Sequence, residues 1–130
     1  MRKSLLGGMM IAALLATGGM AFADDMMPAG IGQTAKGDTL IDAHGMTLYV
    51  FDKDSGGKSV CNDKCAVNWP PLMAQSGAAA TGDYSVVTRD DGSMQWAYKG
   101  RPLYTWIKDQ KPGDVTGDGV ANNTWHVAQP

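Results

Sequence analysis

Thr47-Leu48-Tyr49-Val50-Phe51-Asp52-Lys53-Asp54 returns 55 residues later as Pro102-Leu103-Tyr104-Thr105-Trp106-Ile107-Lys108-Asp109. Sliding the chain on itself by 55 residues matches 10 of the 33 positions 37–69; chance would give roughly two at ordinary residue usage. Gly37, Gly45, Leu48, Tyr49, Lys53 and Asp54 meet Gly92, Gly100, Leu103, Tyr104, Lys108 and Asp109. Phe51 meets Trp106, and Trp69 meets Trp125 after a one-residue slip. The pattern predicts an internal duplication. Two copies are too few for a solenoid, so they are expected to pack on each other.

Within the quoted stretch Leu48 and Val50 point one way, Tyr49 and Phe51 the other. Both faces are apolar, which predicts central strands covered on both sides. Each copy is expected to open as a hairpin. In the first, Thr39–Ile41 turns at His44-Gly45 into Met46–Phe51; in the second, Met94–Tyr98 turns at Lys99-Gly100 into Leu103–Ile107. A residue followed by Gly suits a two-residue turn. Asp91-Gly92 marks another turn, between strands at Tyr84–Thr88 and Met94–Tyr98, and a last strand is expected at Thr124–Ala128. The fold class is therefore mainly β: two similar antiparallel hairpin blocks in one small domain, with a short helical turn near 60–67. Repeat one spans 37–74, a small polar linker 75–83, and repeat two 84–130. Residues 24–36 lack periodicity and read as a flexible lead-in.

Composition agrees with this division. The chain has 130 residues, 44% hydrophobic and 18% charged, enough for one modest core. All 13 acidic residues are Asp, a residue of turns and caps, which disfavours a helical bundle. A net charge of −2 disfavours a nucleic-acid partner.

The first 23 residues carry Arg2 and Lys3, an apolar run from Leu5 to Leu15, and Ala21-Phe22-Ala23 before Asp24-Asp25. This is the layout of a secretory signal peptide cleaved after Ala23. Thr17, Gly18 and Gly19 interrupt the apolar run, so no membrane span is expected after cleavage. No Cys lies near Ala23, which excludes lipid attachment at a new N-terminal Cys. Export of a bacterial type predicts a periplasmic or secreted chain in an oxidising compartment.

The string common to both copies is Tyr-x-aromatic-x-x-Asp: Tyr49, Phe51, Asp54 and Tyr104, Trp106, Asp109. With Cys61-x-x-x-Cys65-Ala66, Trp69-Pro70-Pro71-Leu72 and Gly113-Asp114-x-x-Gly117-x-Gly119 before Trp125, it resembles the bacterial secreted-repeat family, often labelled lipoproteins and defined by a Y-x-[FWY]-x-x-D motif. The resemblance covers about residues 37–128. It implies organisation and not an activity, since the family has no assigned function. The residues themselves favour a folding role. Tyr with Phe or Trp two residues on gives one strand face large apolar area. An Asp just past the strand can accept backbone N–H groups of the following turn.

Cys61 and Cys65 on one helical turn would hold their Cα atoms roughly 6 Å apart, within disulfide reach. An exported chain with no third Cys predicts that they are bonded. The competing reading is copper: the two thiolates with His44, His126, Met46 or Met73 would form a soft Cu(I) site. A binuclear oxidase-type copper site would need His and Met where Trp69 and Leu72 stand. Weak calcium binding is a further alternative. Asp52, Asp54 and Asp63 fall at loop positions one, three and twelve, but Gly56 and the lack of a Glu leave ligands short. No nucleophile elbow, phosphate loop or His-Glu motif is present, and no catalytic residue is assigned. The expected function is a non-enzymatic secreted structural or binding module without a cofactor. Its partner is an unidentified envelope protein or small ligand; periplasmic metal handling is the alternative.

Overall fold

The computed structural model describes residues 27–130. The expected signal peptide and its cleavage site lie outside the described residues. The order is β1 (Gly30–Thr34), β2 (Gly37–Ile41), β3 (Tyr49–Phe51), α1 (Lys64–Asn68), β4 (Tyr84–Thr88), β5 (Met94–Tyr98), β6 (Arg101–Pro102), α2 (Val120–Asn123) and β7 (Trp125–Val127). The protein is mainly β, with antiparallel hairpins in both repeats and two short helical segments.

The hairpin β1–β2 corresponds to β4–β5. Residues following each hairpin return beside it: Leu48 N–H donates to Leu40 O at 2.9 Å, Leu103 N–H to Trp96 O at 3.0 Å. Tyr49 and Tyr104 then meet. Tyr49 N–H donates to Tyr104 O at 2.8 Å and Tyr104 N–H to Tyr49 O at 3.0 Å. Two equivalent residues exchanging both bonds define an antiparallel pair on a local two-fold axis.

The copies do not merely pack; each supplies a closing segment to the other. β7, from the second copy, pairs with β3 of the first, with Val127 opposite Tyr49 and Trp125 opposite Phe51. In the mirror position Pro71 of the first copy bridges Tyr104 of the second. Leu40 N–H donates to Ala128 O and Trp96 N–H to Leu72 O, both at 2.8 Å. One side of these central strands holds Leu40, Leu48, Val50, Tyr84, Leu103 and Ala128; the other holds Tyr49, Cys61, Trp69, Tyr104, Trp125 and Val127. The alternation expected along 48–51 is thus realised, with both faces covered.

Four local expectations are corrected. The lead-in is not loose throughout: Gly30–Thr34 is a strand fully paired with β2. Gly30 and Gly32 are poor strand formers, but a Cβ at Gly32 would lie 3.0 Å from the Ile41 side chain, a close approach that suits the small residue. The first hairpin turn has three residues and not two. Gly45 N–H donates to Asp42 O at 3.0 Å and Asp42 N–H to Met46 O at 2.9 Å, with Gly45 at φ +83°. That is a type I turn with a bulge. Asp42 Oδ1 draws in the N–H groups of His44 and Met46. The second turn is the expected two-residue one, with Lys99 at φ 50° and Gly100 at 84°. Beyond Tyr104 no regular strand continues, because the chain turns, with Asp109 N–H donating to Trp106 O. Finally, the helical turn begins at Lys64 and not at Val60. Ser59 and Val60 are drawn to Tyr104 and Asp54 and remain outside it.

Candidate functional site

The six motif residues gather around the two-fold axis, and their pairing crosses between copies. Tyr49 O–H donates to Asp109 Oδ2 and Tyr104 O–H to Asp54 Oδ2, each at 2.6 Å. Each Asp uses its second oxygen on the turn that follows it. Val60 N–H reaches Asp54 Oδ1 at 2.8 Å, and Thr116 N–H and hydroxyl reach Asp109 Oδ1 at 3.0 and 2.6 Å. The spacing is six residues in the first copy and seven in the second. The one-residue slip therefore lies in this loop, and Cys61 corresponds to Gly117.

Both tyrosines are fully buried. Burial foremost, then the hydrogen bond to a carboxylate, hold both phenols far above their ordinary ionisation range. Burial also raises the Asp54 carboxyl, against the Tyr104 and Val60 hydrogen bonds and the charge of Arg89, which all favour its ionised form.

The second aromatic of each motif enters a four-ring stack. Phe51 lies on Trp125 with centroids 4.2 Å apart, Trp125 on Trp69 at 3.8 Å, and Trp69 on Trp106 at 4.0 Å. Tyr49 meets Trp69 edge-on and Tyr104 meets Trp125 the same way. Phe51 and Trp106 again cross, each capping a Trp of the other copy. Gly117 fits against this stack: a Cβ there would lie 2.7 Å from the Trp69 ring.

A polar cluster absent from the sequence reading completes the centre. Arg89, 5% exposed, donates to Ser59 Oγ, Gln95 Oε1, Cys61 O and Asn62 Oδ1. Ser59 lies 2.6 Å from the Tyr104 hydroxyl, linking Arg89 through Tyr104 to Asp54. The available signal was Arg89 itself, a cation at the end of an apolar strand. Asp90-Asp91-Gly92, residues of a turn, follow it directly.

The metal candidates do not converge. Cys61 and Cys65 form a disulfide, with Cα atoms 5.2 Å apart, so their sulfurs are not thiolates. His44 is exposed in the first hairpin turn, and His126 Nε2 lies 2.8 Å from Asp52 Oδ2. Asp52 also pairs with Arg101, while Asp54 faces Tyr104 and Asp63 precedes α1, so the calcium-like spacing is not folded into a loop around one point. Among the described residues no three His, Cys, Asp or Glu side chains are grouped to hold a metal.

Residues 30–73 and 85–129 each match the family described as a secreted repeat of unknown function. The chain belongs to that family. The two matched stretches coincide with the two structural copies, and the first begins at β1. No curated protein and no solved structure matches the chain. Among the described residues of this secreted repeat, no helix is long and apolar enough to cross a membrane.

Proposed function

We infer that this secreted repeat is a non-enzymatic module of the bacterial envelope, exported to the periplasm by a signal peptide cleaved after Ala23. Its motif residues lock two copies together, and its outer surface binds an envelope protein or small ligand. One observation carries the reading: each motif carboxylate is spent on the other copy's tyrosine and on its own turn. A carboxylate acting in proton transfer must reach a substrate proton, and neither Asp54 nor Asp109 has an oxygen left without a protein partner.

The test is urea unfolding of Asp109→Ala and Asp54→Ala, with copper and calcium titrated calorimetrically against each. Asp109 is the more buried. Its loss orphans a buried tyrosine hydroxyl and a threonine and is expected to cost about 1–3 kcal/mol. The cost at half-buried Asp54 should be smaller, with no metal binding to lose in either case. Unchanged stability together with loss of bound copper or calcium would assign the aspartates to a metal site instead.

A further inference from the structure

A cleft of about 350 Å³ is lined from β3, from β7 and its following residues, and from the turn between β5 and β6. Its lining includes the nearly buried Val50, Val127 and Ala128 and the half-buried ring of Tyr98, and Lys99, Arg101 and His126 bring three basic side chains to it. The chain is acidic overall, so this concentration of bases runs against its average. The internal duplication supplies a control. Arg101 corresponds to Met46, and Asp52, which pairs with both Arg101 and His126, corresponds to Ile107. The pairings Val127–Tyr49 and Pro71–Tyr104 make His126 the counterpart of Pro70. The other copy builds the same strand geometry with Met46, Pro70 and Ile107. The fold therefore does not require charge at these positions.

Arg101 and Lys99 keep donors for a ligand, whereas His126 Nε2 is engaged by Asp52 at 2.8 Å. Arg101 donates to Asp52 through Nη2 at 3.2 Å, a pair about half exposed on both sides. A guanidinium has five N–H donors, so further acceptors can be taken. The Lys99 ammonium stands 5.3 Å from the Tyr98 ring centroid, over its face. Basic donors beside an aromatic face are the chemistry that recognises an oxyanion carried on an apolar body.

We propose that this cleft binds a small organic oxyanion, a carboxylate or phosphate ester with an apolar body, between Lys99, Arg101 and His126. The proposal rests on the reading of the chain as a binding module and names the ligand class. Its test is amide chemical-shift titration of the mature protein with benzoate, phenyl phosphate, inorganic phosphate and benzyl alcohol. Benzoate or phenyl phosphate should saturate shifts confined to Lys99, Arg101, His126 and Val127, and the tighter of the two identifies the oxyanion. Inorganic phosphate and benzyl alcohol should each bind roughly tenfold more weakly, lacking the body or the charge. The double substitution Lys99→Gln, Arg101→Met should weaken binding at least about tenfold while leaving the urea midpoint unchanged, because an exposed ion pair adds little to stability. If the double variant unfolds, Lys99→Gln alone must still weaken binding severalfold. Scattered or unsaturable shifts, equal binding of benzyl alcohol, or full binding by the folded variants would overturn the proposal. None of those results alters the unfolding of Asp109→Ala, so this inference and the scaffold reading fail separately.

Discussion

The two copies solve one folding problem with different materials. In the first, the turn after the motif carries Cys61 and Cys65 in a covalent staple and runs into a right-handed α1. In the second, Gly117 and Ala121 stand in the corresponding places, and α2 is distorted, with Ala121, Asn122 and Asn123 all at φ near +60°. Such left-handed residues are unfavourable outside Gly and Asn. The second copy compensates with polar contacts, Asp109 accepting both the N–H and the hydroxyl of Thr116. Volumes also trade places: Phe51 sits in the copy with Cys61, and the larger Trp106 in the copy with Gly117. What remains alike is the Tyr–Asp pair and the Trp beyond it. The duplication conserves the contacts across the axis and lets the periphery drift.

This comparison can be broken first at the stack. Trp69 and Trp125 lie at its centre and are nearly fully buried, whereas Phe51 and Trp106 are half-buried at its ends. Trp69→Ala or Trp125→Ala should cost about 3–5 kcal/mol in urea unfolding, with clearly smaller losses for Phe51→Ala and Trp106→Ala. Equal costs at centre and ends would show that the axis is not the organising feature.

The staple is the next test. Replacing Cys61 and Cys65 together by Ala closes no loop in the unfolded chain and should lower stability by about 2 kcal/mol, given the short loop. Thiol titration of the oxidised, denatured wild type should find none free. The second copy has no counterpart to lose. Hydrogen exchange should therefore show the destabilisation concentrated around residues 59–69.

Alkaline titration sharpens the likeness of the two tyrosines. Both phenols are held above their ordinary pKa of about 10. The fold retains their protons, so this contribution to stability is fully present below pH 10 and is lost as pH rises beyond it. Absorbance at 295 nm should show Tyr49 and Tyr104 ionising only as near-ultraviolet circular dichroism is lost. Tyr49→Phe and Tyr104→Phe should each remove one phenol from that late phase. Early ionisation of either in folded protein would separate the two sites.

Much of this was legible because it is local. The 55-residue offset, the strands at 84–88 and 94–98, the two faces of 48–51 and the cysteine spacing all follow from neighbours in sequence. The hairpins were readable where Gly follows a turn residue, though the pull of Asp42 lengthened one of them. The crossing was not legible. Each Tyr lies five residues from an Asp of its own copy, and nothing along the chain says that it bonds to the other. Nor was Arg89, whose burial depends on Ser59, Gln95 and Cys61 arriving from distant segments. β1 was hidden by Gly30 and Gly32, which propensity alone counts against, although the Ile41 side chain lies close over Gly32.

The central claim is that the repeated motif is a lock closed across the two copies. Double-mutant cycles on unfolding free energy test it most directly, using Tyr49→Phe and Tyr104→Phe against Asp54→Asn and Asp109→Asn. The crossed pairs Tyr49–Asp109 and Tyr104–Asp54 should couple by about 1 kcal/mol or more, as expected of buried hydrogen bonds to a charged group. The pairs within one copy, Tyr49–Asp54 and Tyr104–Asp109, should couple by less than about 0.5 kcal/mol. Coupling within each copy, with none across the axis, would contradict the account.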